Sequence, residues 1–186
     1  MGDGVVELMR CIDKAFPNVG IQVNTFYHTY FCKENTVMKQ FRDATGLENL
    51  VCSYAEVTDP IGKIIFGSEK DEEIEAIEKT LRSHPLAAEF DFVRSEKTLF
   101  EILPKGIGKG TAIEKLCECL GLDKKKTVAI GDYNNDISMF QKAKLGIAVS
   151  NACADAKAAA DFITVSNEEH AIARVIHDIE NGTYTL

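Results

Sequence analysis

The pattern of apolar and polar positions changes character close to residue 104. Before it, helical spacing from about residue 5 to 16, closed by Pro17, gives way to two strand-like runs at 21–26 and 29–33 around a turn at Tyr27 and His28. A second helix is predicted at 36–44 and stops at Gly46. Past a loop containing Asp59 and Pro60, a strand is expected at 62–67, then a strongly charged helix from 71 to about 83 that ends before Pro85. Runs at 91–94 and 98–103 read as a closing hairpin. Helices and antiparallel strands in this order predict an α+β unit over residues 1–103, a sheet covered by helices on one face.

From residue 104 onward the pattern becomes helix and strand in strict alternation, the mark of a parallel sheet with crossover helices. A helix from Lys109 to Leu120, ended by Gly121, carries Ile113, Leu116 and Leu120 at helical spacing, which predicts that this face packs. Apolar runs at 127–130, 145–149 and 162–165 predict strands buried on both faces. Ser166 and Glu169 form a capping-box pattern for a last helix whose buried side is marked by Ile172, Val175, Ile176 and Ile179. Residues 104–186 therefore read as the C-terminal half of a doubly wound α/β sheet. The alanine-rich stretch 152–160 is an ordinary helix former.

The chemistry-bearing residues concentrate at one end of that sheet. Gly131-Asp132-Tyr133-Asn134-Asn135-Asp136 follows the buried strand 127–130 and opens a helix near Ile137. Acidic and amide groups are thereby set at the carboxyl end of a strand, where open α/β sheets bind ligands. Hydrolysis of a phosphate monoester requires charge neutralisation, usually by Mg²⁺, which takes hard oxygen ligands and keeps several waters. Asp132 is the candidate metal ligand; Asp136, four residues on, is placed to hold a metal-bound water or to orient Lys109; and the Asn135 amide can donate to a phosphate oxygen. The plainer alternative is that Asn134, Asn135 and Asp136 merely form a turn and a helix cap. Lys109, in the glycine-rich approach from Pro104 to Thr111, offers a compact cation able to pair with phosphate and aspartate, or else is a solvated surface lysine.

The order Lys-Gly-Thr helix, strand, Gly-Asp step, helix resembles haloacid dehalogenase-type phosphatases, specifically the cap-bearing Cof-like group. The resemblance implies an α/β core carrying Lys109, Asp132, Asn135 and Asp136, with Lys109 stabilising nucleophile and phosphate and Asp132 and Asp136 in the metal site. It also implies that residues 1–103 are the large inserted cap, which covers the active site and selects the substrate, so that Tyr27, His28, Tyr30 or Arg94 contribute to recognition. The implied activity is Mg²⁺-dependent hydrolysis of small phosphorylated metabolites, sugar phosphates or a cofactor phosphate such as a flavin phosphate. One family feature is absent. Members open on a strand ending in Asp-x-Asp, whose first aspartate attacks phosphorus, and no two aspartates here are separated by one residue. Asp3-Gly4 has no apolar strand before it. The expectation is of a shortened form, inactive alone, with the apolar edge of strand 127–130 left unpaired and prone to self-association. The alternatives are a non-catalytic metabolite-binding or interaction module and, less well matched, a receiver-like domain.

Composition narrows the partners. A net charge of −8 argues against nucleic acid, whose backbone rewards clustered Lys and Arg. No apolar run approaches the length needed to cross a bilayer and the first residues lack the order of a signal peptide, so a cytoplasmic location is expected. The six cysteines are scattered and read as thiols, neither disulfides nor zinc ligands. His28, His84, His170 and His177 read as surface residues, and the acidic run at 71–75 as an exposed first helical turn.

Overall fold

The computed structural model describes residues 1–2, 4–48 and 50–185. Asp3, of the Asp3-Gly4 step weighed above, lies outside the described residues. Two units are formed, Met1–Gly106 and Ile107–Leu186.

The first unit is built on an antiparallel sheet of β1 (Gly20–Thr25), β2 (Thr29–Lys33), β3 (Ile61–Gly67), β4 (Phe90–Glu96) and β5 (Leu99–Pro104), in the order β2-β1-β3-β5-β4. Period-two alternation gives each strand two faces. Ile21 and Val23 of β1, Ile64 and Phe66 of β3 and Phe100 and Ile102 of β5 turn to one face. There they form a core with Val5, Leu8, Met9 and Ile12 of α1 (Gly4–Ala15) and Ile74, Ile77 and Leu81 of α3 (Asp71–Arg82). Burial of a side chain of this size contributes about 1.5–3 kcal/mol each, so this face carries most of the unit's stability. The opposite face is covered in part as well. Phe31, Ile65 and Leu99 pack there against Val37 and Met38 of α2 (Thr36–Thr45), whose N-cap Asn35 accepts the Met38 N–H at 3.0 Å. The expectation of helices on a single face is therefore corrected. The short α2 sits close to the sheet edge, and its few apolar residues did not disclose which face they served.

In the second unit β6 (Val128–Gly131), β7 (Leu145–Ala148) and β8 (Phe162–Ile163) form a parallel sheet in that order. α4 (Lys109–Leu120), α5 (Ile137–Lys142) and α6 (Ala154–Ala159) lie on the face that bears Ala129 and Ala148, while α7 (Ala171–Glu180) packs its Val175 against Leu145 and Ile147 on the other. Helices on both faces are the doubly wound arrangement expected.

Two helix faces differ from the pattern. In α4 the buried positions are Gly110 and Cys117, with Ile113 partly covered, whereas Leu116 and Leu120 are 56% and 62% exposed. The reason lies at Gly110, where an added Cβ would stand 2.4 Å from the Ser138 carbonyl oxygen of α5. So close an approach centres the contact on the stripe 110–113–117 and turns Leu116 and Leu120 away. In α7, Val175 is buried and Ile179 partly so, but Ile172 and Ile176 are 65% and 52% exposed. β8 is also exposed, and the Ser166–Glu169 pair closes a separate 3₁₀ turn (Asn167–Glu169), after which His170 at φ 59° starts α7.

Candidate active site

β6 delivers the chain at Gly131, and the backbone then turns through Asp132 and Tyr133 into one 3₁₀ turn, Asn134–Asp136, from which α5 begins. Asp136 folds back over that turn. Its Oδ2 accepts the backbone N–H of Asp132 at 2.8 Å and of Tyr133 at 3.2 Å, and its Oδ1 pairs with the Lys109 ammonium. Only glycine allows this at 131, because a Cβ there would stand 2.5 Å from Cβ and Cγ of Asp136.

Lys109 arrives by a separate route. It is the first residue of α4, and the next residue, Gly110, donates its N–H to the Ser138 hydroxyl at 3.1 Å while its bare Cα presses on the start of α5. Two helix N-termini are thus clamped together, and the amine of one reaches the carboxylate of the other. Asp136 is only 2% exposed. Burial pushes its carboxyl up, but the Lys109 ammonium and the two backbone N–H donors more than offset this and hold it below the usual carboxylate range. The group is a fixed anion, and Lys109, half exposed, is a positioned cation with donors left over.

Asp132 differs from Asp136 in every respect. It is exposed, and its carboxylate takes no hydrogen bond or ion pair from a described residue. Asn135 is half-buried with its amide likewise uncommitted among the described residues. Asn134, by contrast, accepts the Cys153 thiol at 3.1 Å through Oδ1, while the Cys153 N–H donates to the Asp132 carbonyl at 2.9 Å and the Val149 N–H to that of Gly131 at 3.1 Å. The loop after β7 therefore braces the loop after β6. Asn151 and Asn167 exchange hydrogen bonds of 2.9 and 3.1 Å, which ties in the loop after β8. All three strands end in one connected rim. Ser138, Cys153, Asn151 and Asn167 were not singled out in the sequence. Position 153, just before an alanine-rich helix, was the one signal available, since an N-cap belongs there.

Beside Asp132 an open cleft of about 640 Å³ lies between the carboxyl end of β6 and α7, lined by Ile130, Val149, Ile172 and Ile176 together with Asn167 and His170. Among the described residues β6 pairs with β7 alone, through carbonyls such as Thr127 and Gly131, so the N–H and C=O of Val128 and Ile130 point outward.

A family profile described as haloacid dehalogenase-like hydrolase matches residues 3–176. The chain belongs to the haloacid dehalogenase-like hydrolases. Among its relatives, the 5-amino-6-(5-phospho-D-ribitylamino)uracil phosphatase YwtE of Bacillus subtilis is 35% identical over 124 residues, covering 67% of this chain and 42% of that one. SMU.1108c from Streptococcus mutans UA159 has a similar solved structure, with a TM-score of 0.83 at 23% identity over 97% of this chain and 68% of that one. A sugar phosphatase of HAD subclass IIB superposes with a TM-score of 0.80 at 22% identity, covering 94% of this chain and 65% of that one. These two likenesses show the fold. The chain spans about half or less of the length of the curated relatives it matches.

For a hydrolase of this family the donor set can be tested against Mg²⁺. Among the described residues no group of three or more His, Cys, Asp or Glu is arranged to hold a metal. Mg²⁺ does not need such a cage, since it is commonly bound through one or two carboxylates, substrate phosphate and water. The free, exposed carboxylate of Asp132 fits that requirement. Asp136, the other expected ligand, already commits both oxygens to donors. Of the roles foreseen for it, this geometry serves the one exerted through Lys109.

The side chains that the resemblance offers for substrate recognition, Tyr27, His28, Tyr30 and Arg94, lie in the first unit. Arg94 is engaged by Asp71, whose carboxyl it holds below the usual range, and it also donates to the Lys97 carbonyl at 2.6 Å. Tyr27 is exposed beside Phe26 at the β1–β2 turn, and the His28 and Tyr30 rings meet edge to face at 5.8 Å. Among the described residues no helix is long and apolar enough to cross a membrane.

Proposed function

We propose that this chain supplies the metal-binding and phosphate-binding half of a Mg²⁺-dependent phosphate monoester hydrolase acting on small phosphorylated metabolites, sugar or cofactor phosphates, in the cytoplasm. The observation that carries the reading is the pairing of a buried, fixed Asp136 with Lys109 directly behind a free Asp132 at the carboxyl end of a parallel strand. Asp132 would hold the metal. Asn135 would donate to a phosphate oxygen, and Lys109, oriented by Asp136, would neutralise charge on the transferring group. Bound there, Mg²⁺ would polarise the phosphoryl oxygens. The attacking carboxylate would come from an extended segment added to the open side of β6, which places it beside Asp132. The first unit takes the role of substrate-selecting cap. The relatives support the substrate class, being named for a ribitylaminouracil phosphate and for sugar phosphate.

The same edge favours a second reading, in which β6 pairs with a copy of itself and the chain serves as a metabolite-binding module without turnover. Tight metabolite binding that ignores Mg²⁺ would favour that reading. A monomer by light scattering at high concentration, with protected amides at Val128 and Ile130, would count against the pairing.

The test uses a signal that needs no turnover. Mn²⁺, as a paramagnetic stand-in for Mg²⁺, is expected to broaden the amide resonances of residues 131–136 in the wild-type chain and to lose that effect in Asp132→Asn. Hydrolysis of an aryl phosphate by the chain alone is expected to be absent. Broadening that persists in Asp132→Asn, or turnover indifferent to that substitution, would overturn the assignment.

A further inference from the structure

In the first unit, on the edge of the antiparallel sheet, two cysteines outside the candidate active site are brought together by backbone pairing. β2 is the edge strand, and the segment that starts at Leu50 is bridged to it. A parallel bridge joins Tyr30 to Leu50, and the Phe31 N–H donates to the Leu50 carbonyl at 2.8 Å. Two residues further on in each segment stand Cys32 and Cys52. Burial along the added segment alternates, with Cys52 and Tyr54 turned inward and Val51 and Ser53 exposed. Tyr30, Cys32 and Tyr54 all pack against the core of the face that holds α1 and α3, so the two thiols share one face. Tyr54 closes the site from below by donating its hydroxyl to Asp13 at 3.1 Å, and Asp13 also pairs with Lys33.

From this register we propose that Cys32 and Cys52 are a peroxide-sensitive dithiol that closes to a reversible disulfide, fastening the segment after α2 to the sheet edge. Neighbouring strands lie about 4.7–4.9 Å apart, inside the Cα separation of about 4.4–6.8 Å that a disulfide requires. The thiols already interact. Burial, then the charge of Cys52 and a hydrogen bond with it, push Cys32 up to about 12, so Cys32 keeps its proton and Cys52 is the sulfur that an oxidant meets first. The Cys52 thiol first gives its proton to solvent; its thiolate attacks one peroxide oxygen, the O–O bond breaks, the sulfur becomes a sulfenic acid, and the hydroxide that leaves takes a proton back from solvent as one water. Cys32 sulfur then attacks Cys52 sulfur, and the departing hydroxide takes the Cys32 proton as a second water. Two electrons pass from the sulfur pair to peroxide, and a small dithiol returns them.

The experiment treats the whole chain, at low concentration, with equimolar hydrogen peroxide, blocks the remaining thiols by alkylation, and maps peptides without reduction. The expected result is joint loss of Cys32 and Cys52 from alkylation, a cross-linked peptide containing both, and full recovery with dithiothreitol. Cys32→Ser and Cys52→Ser should each abolish the cross-link and leave Cys119, exposed and distant in sequence, oxidising as before. Cys52 advancing to sulfinic acid while Cys32 stays alkylatable, or a dominant disulfide to another cysteine, would overturn the proposal. Because the wild-type map decides the matter, poor folding of either variant would not shelter it.

Discussion

Asp136 holds three donors with two oxygens, and substitutions can remove them in turn. Asp136→Asn keeps the volume and leaves one carbonyl oxygen for the Asp132 and Tyr133 N–H groups, but it sets an amide donor against the Lys109 ammonium. A hydrogen bond to a charged group is worth about 1.5–3 kcal/mol when buried. Lys109 is half exposed and water recovers its charge, so the expected cost is nearer 1 kcal/mol. Asp136→Ala also strips both N–H donors of their acceptor, adding about 1 kcal/mol each with partial rescue by water, for roughly 3 kcal/mol in all. The pH dependence has a fixed sign. The folded carboxyl lies below the unfolded value, so its stabilisation is complete above the ordinary aspartate pKa of about 4 and is lost as pH falls through the folded value. The gap between wild type and Asp136→Asn should therefore be full at neutral pH and close in acid below that range. Urea unfolding at several pH values, with hydrogen exchange on peptides covering 128–140 to assign the loss to this unit, measures it. Equal stability of all three proteins at pH 7, or a gap that does not change in acid, would refute the view that this carboxylate organises the loop.

Gly110→Ala should cost about 2 kcal/mol or more, because its Cβ meets backbone, the Ser138 carbonyl, and α4 must retreat from α5; thermal unfolding and weaker Mn²⁺ broadening near residue 132 would show it. Gly131→Ala should displace the Asp136 side chain and release the Lys109 ammonium, read as a raised Asp136 pKa in a carboxyl-carbon NMR titration. His170→Gly should stabilise by up to about 1 kcal/mol, since His170 holds φ 59° where an L-residue with a Cβ is disfavoured; a midpoint below wild type would show that the imidazole is held by contacts worth more than the strain.

The elements were legible because their punctuation is strong. Pro17, Gly46, Pro85 and Gly121 bound the helices, and the observed ends of α1, α2, α3 and α4 fall one to three residues before those marks. The Gly-Asp step and Lys109 stood out through the kind and order of their residues, and the fold brings Lys109 to Asp136 at the end of that step. Helix facing was not. Period 3.6 tells which residues share a stripe but not how near the neighbouring helix comes, and at Gly110 a missing side chain decides the matter. Which contact Asp136 makes was left open by the sequence for a related reason. Whether a carboxylate four residues after a strand binds a metal or folds back on the loop depends on the space left at Gly131.

Misplaced facing also says something about the site. Ile172 and Ile176 occupy positions where helical spacing predicts burial, yet the described residues of this unit leave them 65% and 52% exposed. They do not scatter over the surface; with Ile130 and Val149 they line the cleft beside Asp132, at the end of the strand whose outer edge is open. An apolar trough next to unsatisfied strand groups is the combination that an added strand would satisfy at once, its backbone pairing with Val128 and Ile130 and its side chains covering Ile172 and Ile176. The residue at the end of such a strand would lie level with Asp132, a carboxylate with no partner among the described residues. Sequence pattern, open edge and uncommitted carboxylate therefore converge on one strand, which is why the proposed strand addition and the proposed metal site stand or fall on the same few residues.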